Sequence, residues 1–225
     1  MSTELLEQGS PEWLAARLGR ATASRFSDVL ATIKSGESSQ RRNYRAELVL
    51  ERLTGETAES FSSSAMAWGN DTEDLARVAY TLRTGQDVET VGFFQHESLM
   101  AGASPDGFVG TDGAIEIKCK IPANHIETLK LNAMPAKHLA QVQGQLWITG
   151  RQWCDFVSFD PRFPANAQIF IQRIERDEQY IHKLMLEVTL FLDEVDEEVT
   201  FIKGYGTTQK PLVAKASNLE DLFDE

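Results

Sequence analysis

With 225 residues, 42% hydrophobic and 25% charged, the chain is long enough to bury a core of its own and has the composition of an ordinary globular domain. No apolar run approaches the ~20 residues of a membrane span, the acidic N-terminal segment is unlike a signal peptide, and the two widely separated cysteines, Cys119 and Cys154, argue against a structural zinc site, so a cytoplasmic, membrane-free protein is expected. A net charge of −12 argues against gripping nucleic acid by bulk attraction.

The first 55 residues read as short helices. Ser10 followed by Pro11 suits an N-cap and first helical position, with Trp13, Leu14 and Leu18 at helical spacing. Thr22 or Ser24 can cap a second helix that turns Phe26, Val29 and Leu30 inward. After a polar loop over 34–40, an amphipathic helix is expected over 41–53, stopped by Gly55. A loop at 60–64 leads to a long helix over 65–84 with Trp68, Leu75, Ala79 and Leu82 on one stripe and Gly85 as its stop.

Val88, Val91, Phe93 and Phe94 then suggest a strand, and 107–109 with 114–117 suggest a hairpin around Gly110, Asp112 and Gly113. Helices follow over 123–131 and 136–148, strands over 153–159 and 168–174, and a last helix over 177–197. This order predicts an α/β fold, a central mixed β-sheet flanked by helices, in a single domain over 1–203 with an extended tail over 204–225. Basic residues concentrate at 17–25, 41–52 and 118–120 and acids at 193–198 and 220–225. A DNA-contacting surface would thus come from the N-terminal half, with the acidic surface facing elsewhere.

The most informative stretch is Ser104-Pro105-Asp106-Gly107 followed by Ile115-Glu116-Ile117-Lys118. Residues two apart on a strand share a face, so Glu116 and Lys118 sit side by side, and Asp106 at the hairpin mouth can approach them. Two carboxylates at one edge form a hard oxygen site suited to Mg²⁺ or Mn²⁺, and the lysine can orient an attacking water. These are the parts that phosphodiester hydrolysis requires. A common Asp-Gly turn beside an exposed charge pair would produce the same letters; the flanking isoleucines argue instead for sheltered charges that need a partner or a metal.

This segment resembles the PD-(D/E)XK nucleases, and further segments resemble the phage lambda exonuclease family, the alkaline exonucleases of phage recombination. The matching pieces, in family order, are Trp13 with Arg17-Leu18-Gly19, Thr22-Ala23-Ser24, Ala67-Trp68-Gly69 with Glu73, Ser104-Pro105-Asp106-Gly107, Glu116-Ile117-Lys118-Cys119, and Ala140-Gln141-Val142-Gln143 with Trp147. Asp160-Pro161-Arg162 and Ile174-Glu175-Arg176-Asp177 continue the series.

The resemblance implies a restriction-endonuclease-like core and assigns roles. Asp106 and Glu116 would hold the metal, with the Ile117 backbone carbonyl as a further ligand, and Lys118 would position the water. Glu73, which the helical pattern alone reads as a solvated acid, would act through a water or a second metal. Gln141 would order the lysine and the nucleophile. Arg17, Thr22 and Ser24 would hold the 5′-phosphate of the digested strand, a sound anion site in its own right. Met66 stands where the family has an apolar wedge between bases, and is equally a packing residue.

The implied activity is Mg²⁺-dependent 5′-to-3′ digestion of one strand of linear double-stranded DNA to mononucleotides, with one or two ions. The implied assembly is a homotrimeric ring, whose basic bore would answer the charge problem, working with a single-strand annealing protein. A DNA endonuclease on the same core, or an inactive nuclease-fold module that binds DNA or recombination proteins, are the alternatives.

Overall fold

Capping chemistry sets where the terminal helices begin. Ser10 Oγ accepts the Trp13 N–H at 3.1 Å and Pro11 opens the helix, as its missing N–H and preset φ allow. Asp177 accepts the N–H groups of Gln179 and Tyr180, both at 3.0 Å, and starts the last helix. The structure, a computed structural model, describes residues 8–57, 64–119 and 121–206; within 64–71 the helix is described but not the side chains.

In chain order the elements are α1 (Pro11–Arg17), β1 (Ala21–Thr22), a 3₁₀ turn (Ala23–Arg25), α2 (Phe26–Val29), α3 (Ser39–Thr54), α4 (Ser64–Thr84), β2 (Val88–Glu89), β3 (Phe94–Gln95), β4 (Ala101–Ala103), β5 (Gly107–Val109) and β6 (Gly113–Lys118). There follow α5 (Pro122–Leu131), a 3₁₀ turn (Ala136–His138), α6 (Leu139–Thr149), β7 (Trp153–Phe159), β8 (Ile169–Glu175) and α7 (Glu178–Gly204). A five-stranded sheet runs β2-β5-β6-β7-β8, antiparallel except for the β6–β7 pair, and a small sheet runs β1-β4-β3 with β1 and β4 parallel. This is the mixed, helix-flanked α/β sheet expected from the sequence.

Three departures have physical causes. The strand expected around residues 88–94 is two short strands in different sheets, β2 and β3. The second helix is not capped by a Thr22 or Ser24 side chain; a 3₁₀ turn precedes α2 there. On α4 the expected stripe holds only in part: Ala79 packs on the core, but Leu75 is 55% and Leu82 is 82% exposed while Thr72, Ala76 and Tyr80 are buried, and the Trp68 side chain lies outside the described residues. Small and hydroxyl-bearing residues let α4 lie close on the sheet, where Ala76 and Tyr80 pack with Ile115, Ile117 and Val157.

The opposite face of the sheet packs on α6, whose Val142 and Leu146 meet Ala114 and Cys154. A third apolar cluster joins α2, α3 and α7 through Phe26, Leu48, Val188 and Phe191. Each such buried side chain contributes roughly 1.5–3 kcal/mol. Gly144 allows α6 to approach α2, since a Cβ there would meet Phe26 Cδ2 at 2.4 Å. The early arginines and late acids do not form separate faces. Arg41 bonds Glu194 at 2.7 Å, Arg45 bonds Glu198 at 2.7 Å and Arg52 bonds Asp196 at 2.6 Å, tying α3 to α7. The basic run at 41–52 is thereby largely paired with acids within the fold.

Candidate active site

β5 begins only at Gly107, opposite Ile115, while β6 runs on to Lys118, and this mismatch builds the centre of the site. The Asp106 N–H donates to the Ile115 carbonyl at 3.1 Å, and the next N–H on that edge, Ile117, donates to Asp106 Oδ2 at 2.6 Å. A strand residue presents its N–H and C=O to the same neighbour, so the Ile117 carbonyl is directed toward the side on which Asp106 sits. Glu116 and Lys118 lie on the α6 face of the sheet, and Lys118 Nζ pairs with Glu116 Oε1. From α6, Gln141 Nε2 donates to Glu116 Oε1 at 2.6 Å and Gln145 Nε2 donates to Oε2 at 2.5 Å.

Glu73 comes from the other face. It lies on the half-buried flank of α4, not on a solvated one, and pairs with Arg77 one turn on. Arg77 also donates from Nε to the Asp106 carbonyl at 3.2 Å and from Nη1 to Asp74 at 2.6 Å. One arginine thus links the acid of α4 to the backbone of the hairpin mouth.

These charges crowd one another. Burial, then the Glu116 and Glu73 carboxylates, hold the Asp106 carboxyl well above the ordinary range. Burial also pushes Glu73 up, although Arg77 counters it. Lys118 is half-buried, which opposes its charge, yet the surrounding Glu116 and Asp106 carboxylates keep it above its usual value. Among the described residues no three His, Cys, Asp or Glu side chains converge closely enough to cage an ion unaided. The donor set is two carboxylates and a carbonyl. It fits Mg²⁺, which binds through one or two carboxylates and keeps several waters, and a cation would relieve the repulsion that raises Asp106.

The side of the site where the sequence suggests an anion pocket is built from α1 and the segment before Asp106. Ser104 Oγ accepts from Trp13 Nε1 at 3.0 Å and from Arg17 Nη1 at 3.4 Å. The Arg17 guanidinium lies 4.0 Å from the Trp13 ring centroid and 5.5 Å from that of Phe93, with its pKa lowered by burial. Ser24 is exposed, and Thr22, buried behind it, is 3.2 Å away between hydroxyl oxygens. The Thr22 N–H donates to Tyr44 Oη at 2.9 Å.

Arg17, Ser24, Ser104, Glu73, Asp106, Glu116, Ile117, Lys118, Gln141 and Gln145 all line one cleft of about 540 Å³. Thr22 braces that wall rather than lining it, and the Met66 side chain lies outside the described residues. Ser104, Gln145 and Arg77 carry no role in the sequence-based assignment. Ser104 was signalled by standing two residues before Asp106, and Gln145 by standing one helical turn after Gln141. Among the described residues no histidine lines this cleft: His125 bonds Ser158 Oγ and the Ala167 carbonyl, both at 2.8 Å, and His138 stacks on Phe156. Cys119 lines the cleft with its thiol pushed up to about 12 by burial, which makes it a poor nucleophile.

Comparison with known proteins agrees with this geometry. The model of the YqaJ-like viral recombinase domain matches residues 12–152, the span that contains every residue lining the cleft beyond Gln8. LHK-Exo, an alkaline exonuclease from Laribacter hongkongensis, is similar at 44% identity and a TM-score of 0.80, over 86% of this chain and 96% of its own. LHK-Exo in complex with dAMP matches at 45% identity and 0.81 over the same shares. A phage-related exonuclease of Haemophilus somnus 129PT shares the fold at a TM-score of 0.65 and 17% identity, over 81% of this chain and 96% of that one. ExoD of Escherichia coli (strain K12) is 31% identical over 75 residues, which is 32% of this chain and 85% of ExoD. Among the described residues no helix is long and apolar enough to cross a membrane.

Proposed function

The chain belongs to the YqaJ-like viral recombinase family, and on that premise we propose that it is a Mg²⁺-dependent 5′-to-3′ exonuclease of linear double-stranded DNA. It degrades one strand to mononucleotides and leaves a 3′ single strand for a strand-annealing recombination protein. One observation carries the proposal: the carboxylate–lysine centre and the arginine–serine pocket open into a single cleft, so a strand end held by one presents its first linkage to the other. LHK-Exo, a similar exonuclease, forms a complex with dAMP, which supports release of mononucleotides.

Asp106, Glu116 and the Ile117 carbonyl would hold one or two Mg²⁺ ions, with Mn²⁺ able to substitute. Bound there, the ion would lower the pKa of water and offset charge building on the phosphate. Lys118, held against Glu116, orients the attacking water, and Gln141 keeps that pair in place. Glu73 adds negative charge from the opposite wall. Arg17 and Ser24, joined by Ser104 and braced by Thr22, bind the terminal 5′-phosphate through charge-assisted hydrogen bonds. Met66 on α4 would wedge the bases at the fork. Assembly into a homotrimeric ring would confine the duplex without a net basic chain, and the exposed Leu75, Val78 and Leu82 of α4 are an apolar face of the kind an assembly covers.

The test is digestion of a 5′-phosphorylated linear duplex with Mg²⁺, beside a closed circle and the Asp106→Ala variant. Mononucleotides from the linear DNA alone, absent with the variant, are expected. Cleavage of the circle would establish an endonuclease instead, and no cleavage of either by folded protein would leave a binding module. A monomeric mass in solution would remove the ring.

A further inference from the structure

Three glutamines alternate along α6, and their environments differ. Gln143 is satisfied at both ends: Nε2 donates to the Glu175 carbonyl at 2.8 Å and Oε1 accepts the Asp177 N–H at 3.0 Å. Gln141 is half-buried and holds Glu116 Oε1. Gln145, one turn further on and only 1% exposed, holds Glu116 Oε2 at 2.5 Å and reaches the Ser104 carbonyl at 3.5 Å. Its own Oε1 is buried and has no hydrogen-bond partner among the described residues.

A buried amide oxygen without a donor costs about as much as a lost hydrogen bond, so native folds seldom keep one without cause. Turning the amide over would set that oxygen against a carboxylate oxygen of Glu116, two acceptors face to face. The demand of Glu116 therefore outweighs the orphaned atom. Lys118 and Gln141 both load Oε1, whereas Oε2 receives Gln145 alone among the described residues, and so keeps acceptor capacity that Oε1 has spent.

We infer that Gln145 is a positioning residue of the hydrolytic centre: with Gln141 it grips both oxygens of Glu116 from one helical turn and sets the angle at which that carboxylate meets a divalent cation. This rests on the nuclease reading of the same cleft. Partners that orient a metal ligand in this way govern affinity without touching the ion.

Mn²⁺ is titrated calorimetrically into the full chain without DNA, for the wild type, Gln145→Met, Gln145→Asn and Asp106→Ala, and each is melted thermally. Gln145→Met removes the donor at similar volume, and Gln145→Asn keeps the amide but shortens its reach. Both are expected to weaken Mn²⁺ binding by roughly 10–100-fold. Gln145→Met should melt somewhat lower than the wild type yet stay folded at the titration temperature, because the buried Glu116 Oε2 loses its donor while the orphaned acceptor goes with it. On DNA, turnover should fall while KM changes by less than about twofold. Wild-type Mn²⁺ affinity in both Gln145 variants, with Asp106→Ala defective, would overturn the role of Gln145 alone. Wild-type affinity in Asp106→Ala would overturn the metal reading of the cleft, and this inference with it.

Discussion

The Ile117 N–H donates to Asp106 Oδ2 at 2.6 Å, so the acid that opens the hairpin is held by the strand that carries Glu116. Asp106→Asn keeps an oxygen for that bond and removes the charge that Glu116 and Glu73 repel. Without divalent cation at neutral pH, the variant should melt higher by roughly 2–4 °C, the scale of about 1 kcal/mol in a chain of this size. Its nuclease activity should be lost. A variant that melts lower would show that the carboxylates are not under strain.

Arg77 ties Glu73 to the Asp106 carbonyl across two elements. Arg77→Met leaves a partly buried acid and a carbonyl without their donor, at a cost of about 1–3 kcal/mol in stability by denaturant melting. Turnover should fall further than stability predicts, because the hairpin mouth loses its tether. Unchanged turnover in a destabilised variant would reduce Arg77 to a structural ion pair.

Arg17 sits between two rings and meets Ser104. Arg17→Lys retains charge but loses the planar fork and the stacking. The preference for 5′-phosphorylated over 5′-hydroxyl ends, measured as a ratio of initial rates, should drop by about tenfold, roughly 1.4 kcal/mol. A ratio that does not move would place the terminal phosphate elsewhere.

Glu194 accepts two bonds from Arg41, at 2.7 and 2.8 Å, and one from Arg45 at 2.9 Å. The Arg41 hydrogen bond, above all, lowers its pKa. A depressed carboxyl stabilises the fold above its unfolded pKa and loses that contribution as pH falls through the folded value. Glu194→Gln should therefore cost under about 1 kcal/mol at pH 7, given its exposure. The gap from wild type should close as the medium is acidified past the ordinary glutamate range. A gap that widens in acid would rule out this linkage.

The sequence made the sheet's centre legible because β5, β6 and β7 have clear turns and apolar runs. The strands of the small sheet were not, since two- and three-residue segments such as Ala101-Gly102-Ala103 carry no period. α4 misled for a different reason. Its leucines point outward, while Tyr80 turns inward because its hydroxyl donates to Asp155 Oδ2 at 2.7 Å. In the site, Asp106, Glu116 and Lys118 were readable from spacing alone. Glu73, Gln141 and Arg17 needed the family resemblance. The bond of Gln145 to Glu116 and that of Arg77 to the Asp106 carbonyl each span 29 residues, which no local pattern reveals.

Ser104 belongs to the arginine pocket and Asp106 to the carboxylate centre, and between them stands only the buried Pro105. Two residues of extended chain reach ~7 Å at most, and proline removes the freedom to change that span. On the exonuclease reading proposed above, the segment would work as a ruler: it would fix the distance between the anchored end and the bond to be cut, so that product size would be set by the length of the backbone rather than by any base contact.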